Sequence, residues 1–109
     1  MALGCSSSLG PATGDLSGVW VWNAVDNSLV LTLVQRGATF SGTGTSRDLV
    51  NRMALGITGD YAPPHVMLAF TFASGLACQY AATVQDSTHM VGVETCSGGG
   101  MCNLQFVKQ

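Results

Sequence analysis

Few side chains in this 109-residue chain could carry chemistry, and their spacing restricts what they could do. The histidines are His65, which follows Pro63-Pro64, and His89, which follows an Asp86-Ser87-Thr88 turn. Both read as rim residues. Neutral imidazole is a common metal ligand, but the cysteines show no C-x-x-C spacing and only two histidines could complete a set, so no metal site is expected. Asp86, Ser87 and His89 have the residue types of a proton relay. Neighbours in a tight turn are not expected to share one proton path, however. Gly98-Gly99-Gly100 precedes no helix and so is not a phosphate cradle. Glu94 is a carboxylate inside a strand-like run. Facing inward, it would have a raised pKa and could act as an acid or base. The alternation of Val91 and Val93 inward instead turns Glu94 to solvent. No catalytic residue and no cofactor is expected.

The cysteines are Cys5, Cys78, Cys96 and Cys102. An even count in a small domain suggests disulfides and an oxidising compartment, with three complete pairings open. A Cys96–Cys102 bridge would staple a Gly-rich loop. A hairpin centred near Ser87 would place Cys78 opposite Cys96, Tyr80 opposite Glu94 and Ala82 opposite Gly92, and Cys78–Cys96 is the preferred pair. Near the start, Leu3-Gly4-Cys5-Ser6-Ser7-Ser8 resembles the tail of a bacterial lipoprotein cleavage site and its tether, although Ala2 stands where Leu is usual. The resemblance makes Cys5 a candidate for lipidation and membrane anchoring. An extracytoplasmic location is expected: periplasm, outer-membrane lipoprotein or secreted. Residues 1–15 read as a flexible tether and 16–109 as a single domain.

Only 9% of the residues are charged while 47% are hydrophobic, and mean hydropathy is +0.34. Disorder is excluded by that hydrophobicity. The net charge of −2 and four scattered basic residues argue against a nucleic-acid partner. No apolar run approaches the ~20 residues of a spanning helix. The runs are short, rich in β-branched and aromatic residues, and separated by turn signals such as Asp26-Asn27-Ser28 and Arg36-Gly37. Eight strands are predicted: 19–23, 29–35, 38–45, 53–61, 65–73, 76–84, 90–95 and 103–108. The fold class is all-β, an eight-stranded antiparallel up-and-down β-barrel, with a small β-sandwich as the alternative. A short helix over 47–55 is the main local competitor. Glycines within strands fit sharp coiling or close backbone approach.

Leu16-Ser17-Gly18-Val19-Trp20, then Phe40-Ser41-Gly42-Thr43-Gly44-Thr45, then Leu55-Gly56-Ile57-Thr58-Gly59-Asp60-Tyr61 resemble the calycin superfamily, with avidin-like barrels and small lipocalin-like bacterial lipoproteins nearest in pattern. The resemblance runs loosely over 16–108. It implies an eight-stranded barrel with Trp20 plugging one end and a basic residue, here Lys108, stacked on it. The avidin biotin site does not carry over. Trp22 stands where a polar residue belongs, Gly44 replaces an aromatic, and no tryptophan follows Trp22.

Two runs are apolar on both parities, 29–34 and 66–72. Contiguous exposed apolar surface marks interaction sites, so Val30, Val34, Val66, Leu68, Phe70 and Phe72 are candidate interface residues. They would serve a homo-oligomer or docking into a larger complex. The candidate pocket lining is Trp22, Leu31, Leu33 and Phe40 from the first half, with Leu55, Met67 and Tyr80, and Val91, Val93, Leu104 and Phe106 from the last strands. The leading functional expectation is a non-enzymatic barrel binding a small apolar or aromatic ligand. The alternatives are an accessory subunit that docks through its outer face in an envelope or oligomeric complex, and a cyclase-like small-barrel enzyme.

Overall fold

The computed structural model describes residues 15–109, so Cys5 and nearly all of the predicted tether lie outside the described residues. Eight strands follow in chain order: β1 Gly18–Asn23, β2 Ser28–Arg36, β3 Thr39–Arg47, β4 Arg52–Ala62, β5 His65–Phe72, β6 Ala77–Asp86, β7 His89–Cys96 and β8 Met101–Lys108. Each pairs antiparallel with the next, and β8 returns to β1 to close the barrel. The eight-stranded up-and-down barrel is therefore the fold, and the sandwich alternative is set aside. No helix occurs among the described residues. Where one was a competitor, Asp48 caps a turn instead: its Oδ1 accepts from the backbone N–H of Val50 at 2.9 Å and of Asn51 at 2.6 Å.

The barrel interior is a packed core. Trp20, Leu31, Leu33, Leu68, Phe70, Tyr80, Met90 and Phe106 are essentially sealed from water. Tyr80 lies edge-on to Phe106 at 5.2 Å between ring centroids and stacks on Phe70 at 6.3 Å. Its hydroxyl donates to the Leu104 carbonyl at 2.8 Å, which satisfies a polar atom that this packing buries.

Inward-facing glycines let the sheet coil around these large side chains. At Gly92 a β-carbon would meet the Ala81 carbonyl oxygen at 2.1 Å, and at Gly42 the Thr32 carbonyl oxygen at 2.1 Å. Only glycine lets the neighbouring backbone come so close. This decides the facing of β7. Gly92 pairs with Ala82 and Leu104, both buried. Period-2 alternation then turns Val91 and Val93 outward, contrary to the sequence expectation, and brings Glu94 in.

The facing of β5 is also the reverse of the expectation. Both parities are apolar, but Val66, Leu68 and Phe70 are larger as a set than Met67 and Ala69. Burying the larger set removes more apolar area from water. Val66, Leu68 and Phe70 are buried, Phe72 packs partly buried against the core, and Met67 is 44% exposed.

Candidate functional site

The two ends of the barrel differ. At one end Leu16 and Trp20 are fully buried and act as a plug. The Trp20 indole N–H donates to the Leu16 carbonyl at 2.9 Å. The Gln35 side chain accepts from the Leu16 N–H at 2.7 Å, and Ser17 Oγ accepts from the Gln35 N–H at 2.8 Å. Lys108 is the cross-strand neighbour of Trp20. Its ammonium donates to the Asp15 carbonyl at 3.3 Å and its stem lies over Gly18.

The opposite end is formed by the loops at 24–27, 48–51, 73–76 and 97–100. The register aligns Trp22 with Leu29, Leu29 with Ser46, and Ser46 with Met53. Trp22, Ser46, Met53, Phe72, Glu94 and Cys96 all have inward parity here, and all are only partly buried. They make a mouth that is mostly apolar, with one hydroxyl and one carboxyl. Burial raises the Glu94 pKa above its ordinary value. Burial also raises the Tyr80 pKa, with the Glu94 charge adding to the effect. Beside Glu94, Cys78 and Cys96 form the expected disulfide, S–S 2.04 Å. A Glu94 carboxylate oxygen and both sulfurs lie within 4.8 Å of one another. Metal coordination needs thiolates, so the bridged sulfurs make this group no metal centre.

Of the expected pocket residues, Trp22 reaches the mouth. Leu31, Leu33, Phe40, Leu55, Tyr80, Leu104 and Phe106 face inward but are buried in the packed core. Met67 and Val91 face outward and are exposed, and Val93 is half-buried on the outer side. Val34 is exposed and Val30 half-buried on the outer face, but Val66, Leu68, Phe70 and Phe72 turn inward and leave the expected interface. Ser46 and Met53 were missed, and Glu94 was weighed but turned to solvent. Extending the pairing row from Trp22 through Leu29 would have found the first two.

A second cluster sits at the β6–β7 turn. His89 Nδ1 is 2.9 Å from Asp86 Oδ1 and 2.9 Å from Thr88 Oγ1, and the Thr88 hydroxyl donates to Asp86 Oδ1 at 3.0 Å. These side chains do converge, contrary to the adjacency argument, with Thr88 in place of Ser87. The carboxylate can only accept, so Nδ1 carries the proton. The hydrogen bond from His89, followed by those from Thr88, holds the Asp86 carboxyl down at about 2. A relay needs the hydroxyl on the other ring nitrogen. Here carboxylate and hydroxyl share Nδ1, so the cluster is a turn cap and not a nucleophile.

The chain matches no family model and no curated protein. It does match solved structures. A redesigned β-barrel, b11L5F_LGL, is 15% identical over 91% of this chain and 96% of that one, with a TM-score of 0.78. A de novo designed fluorescence-activating β-barrel is 10% identical over 91% and 98%, with a TM-score of 0.72. A redesigned β-barrel, mFAP1, bound to DFHBI, is 11% identical over 91% and 99%, with a TM-score of 0.71. At these identities the likeness establishes the eight-stranded barrel and nothing finer.

Proposed function

We propose that this chain is a non-enzymatic barrel that binds one small apolar or aromatic molecule at the mouth lined by Trp22, Met53 and Phe72. The observation that carries the reading is the asymmetry of the two ends. Leu16 and Trp20 seal one, while the other leaves aromatic and thioether side chains partly exposed. Small-molecule sites are mostly apolar with a few polar groups, and Ser46 and Glu94 supply those here. That a barrel of this shape is found bound to DFHBI supports the reading. The filled core restricts the ligand to the mouth. The docking alternative loses its main support because Val66, Leu68 and Phe70 face inward. The Cys78–Cys96 bridge favours an oxidising, extracytoplasmic compartment.

The test is titration with the neutral probe N-phenyl-1-naphthylamine, following probe emission and tryptophan quenching. Saturable binding that weakens at least about tenfold in Trp22→Ala and Phe72→Ala is expected, since each removes buried aromatic area. No saturable binding, or binding that neither substitution changes, would overturn the proposal.

A further inference from the structure

The barrel closes unevenly. Within the sheet, sequential neighbours share six to nine aligned residue pairs. The β1–β8 seam aligns only Trp20 with Lys108 and Val21 with Val107, and beyond them the Gln109 N–H donates to the Val19 carbonyl at 2.8 Å. Toward the mouth the two strands part. A cleft of about 620 Å³ opens there between Val21, Trp22 and Asn23 on one side and Asn103, Leu104 and Gln105 on the other.

The direction of the backbone groups follows from the ladder. The Lys108 N–H donates to the Thr88 carbonyl, so even-numbered residues of β8 turn their N–H and C=O to β7. Alternate residues of an antiparallel strand turn to opposite sides. Met101, Asn103 and Gln105 therefore present theirs to the open side, where no β1 residue is aligned with them. Exposed strand edges are ordinarily protected by lysine, proline or a bulge. From Met101 to Val107, β8 has no charged residue and no proline, and β1 has none either.

We infer that this open seam is a strand-addition site for an extended, uncharged peptide segment. The incoming backbone pairs with Met101, Asn103 and Gln105, the mode by which sheet edges take up peptides. The side-chain amides of Asn23, Asn103 and Gln105 line the walls beside the His89 ring, and no lysine, arginine or carboxylate side chain lines the cleft, so the groove offers donors and acceptors suited to a peptide backbone rather than to a charged partner. The half-buried Trp22 lies at its floor, with Leu104 buried beneath, which favours an apolar side chain at the inward position of the guest strand.

The test is amide hydrogen exchange with a probe peptide, an acetylated and amidated seven-residue Thr-Val repeat. At saturating peptide, exchange at Asn103 and Gln105 should slow at least about tenfold, the effect of forming one hydrogen bond per amide. The same peptide N-methylated at alternate residues, to block its pairing edge, should not slow it. Gln105→Pro removes an N–H that no barrel strand uses, so the barrel should stay folded by circular dichroism while peptide protection is lost. Unchanged exchange with saturating peptide would overturn the inference. Protection already present in dilute protein alone would show the seam closed and overturn it too. Protection that appears with protein concentration alone would assign the edge to a second copy of this chain and overturn the peptide assignment. Probe binding at the mouth is measured separately, so neither proposal's failure conceals the other's.

Discussion

Tyr80 and Glu94 face each other across β6 and β7 inside the barrel, a buried phenol directly opposite a half-buried carboxyl. The phenol is committed to the Leu104 carbonyl, and burial favours the protonated form of Glu94 over its ordinary pKa of 4.5. Folding therefore binds a proton at Glu94 more tightly than the unfolded chain does. That contribution is complete below the ordinary value and is lost as pH rises through the raised one.

Glu94→Gln removes this ionisation. The wild-type thermal midpoint should fall relative to that of the variant between about pH 4 and pH 7. A wild-type and variant difference that is constant across that range would show that Glu94 ionises as freely in the fold as outside it.

The Asp86 pKa moves the other way. It is depressed to about 2, chiefly by the hydrogen bond from His89 and then by those from Thr88. Its favourable contribution is present above the ordinary value of 3.8 and disappears as pH falls through about 2. In His89→Ala the Asp86 carboxyl should titrate higher, toward 3.8, which carboxyl carbon chemical shifts would report.

Gly92→Ala should destabilise the barrel by about 1–3 kcal/mol, the usual cost of overpacking, because the added carbon meets the Ala81 backbone. Gly56→Ala is the control, since nothing lies within 4 Å of a β-carbon there. Urea unfolding of both variants checks the contrast, and equal midpoints would refute it.

Replacing Cys78 and Cys96 together by serine should cost about 2–4 kcal/mol in chemical denaturation, as expected for opening a loop across a separation of 18 residues. Cys102 is exposed and free. It should react with iodoacetamide in the folded, unreduced protein, whereas Cys78 and Cys96 should react only after reduction.

Strand positions were legible because turn chemistry punctuates this chain. Arg36-Gly37 and Asp26-Asn27 mark reversals, and observed strand ends lie close to those predicted. The pairing of Cys78 with Cys96 followed from one hairpin centre, and the register from Cys78 to Ala82 matches it. A shift between Val84 and Asp86 lies nearer the turn and leaves those pairs unchanged. The facing of β5 was not legible, because apolar residues occupy both parities, and in β7 the alternation of Val91 and Val93 pointed the wrong way. In β7 the decisive residue was Gly92, whose inward facing depends on the Ala81 backbone of the neighbouring strand. Glu94 was misplaced with it. The mouth was consequently only part-visible: Trp22 was expected there, while Ser46, Met53 and Glu94 emerge only when the strand rows are aligned.

The seam has a consequence for how the barrel forms. Every other junction joins neighbours along the chain through a short reversal, so hairpins can assemble one upon the next. The β1–β8 closure alone joins opposite ends of the described sequence, as the contact from Lys108 to Asp15 illustrates. The seam is therefore the junction of the barrel that costs the most chain entropy to close and has the fewest aligned pairs to hold it shut.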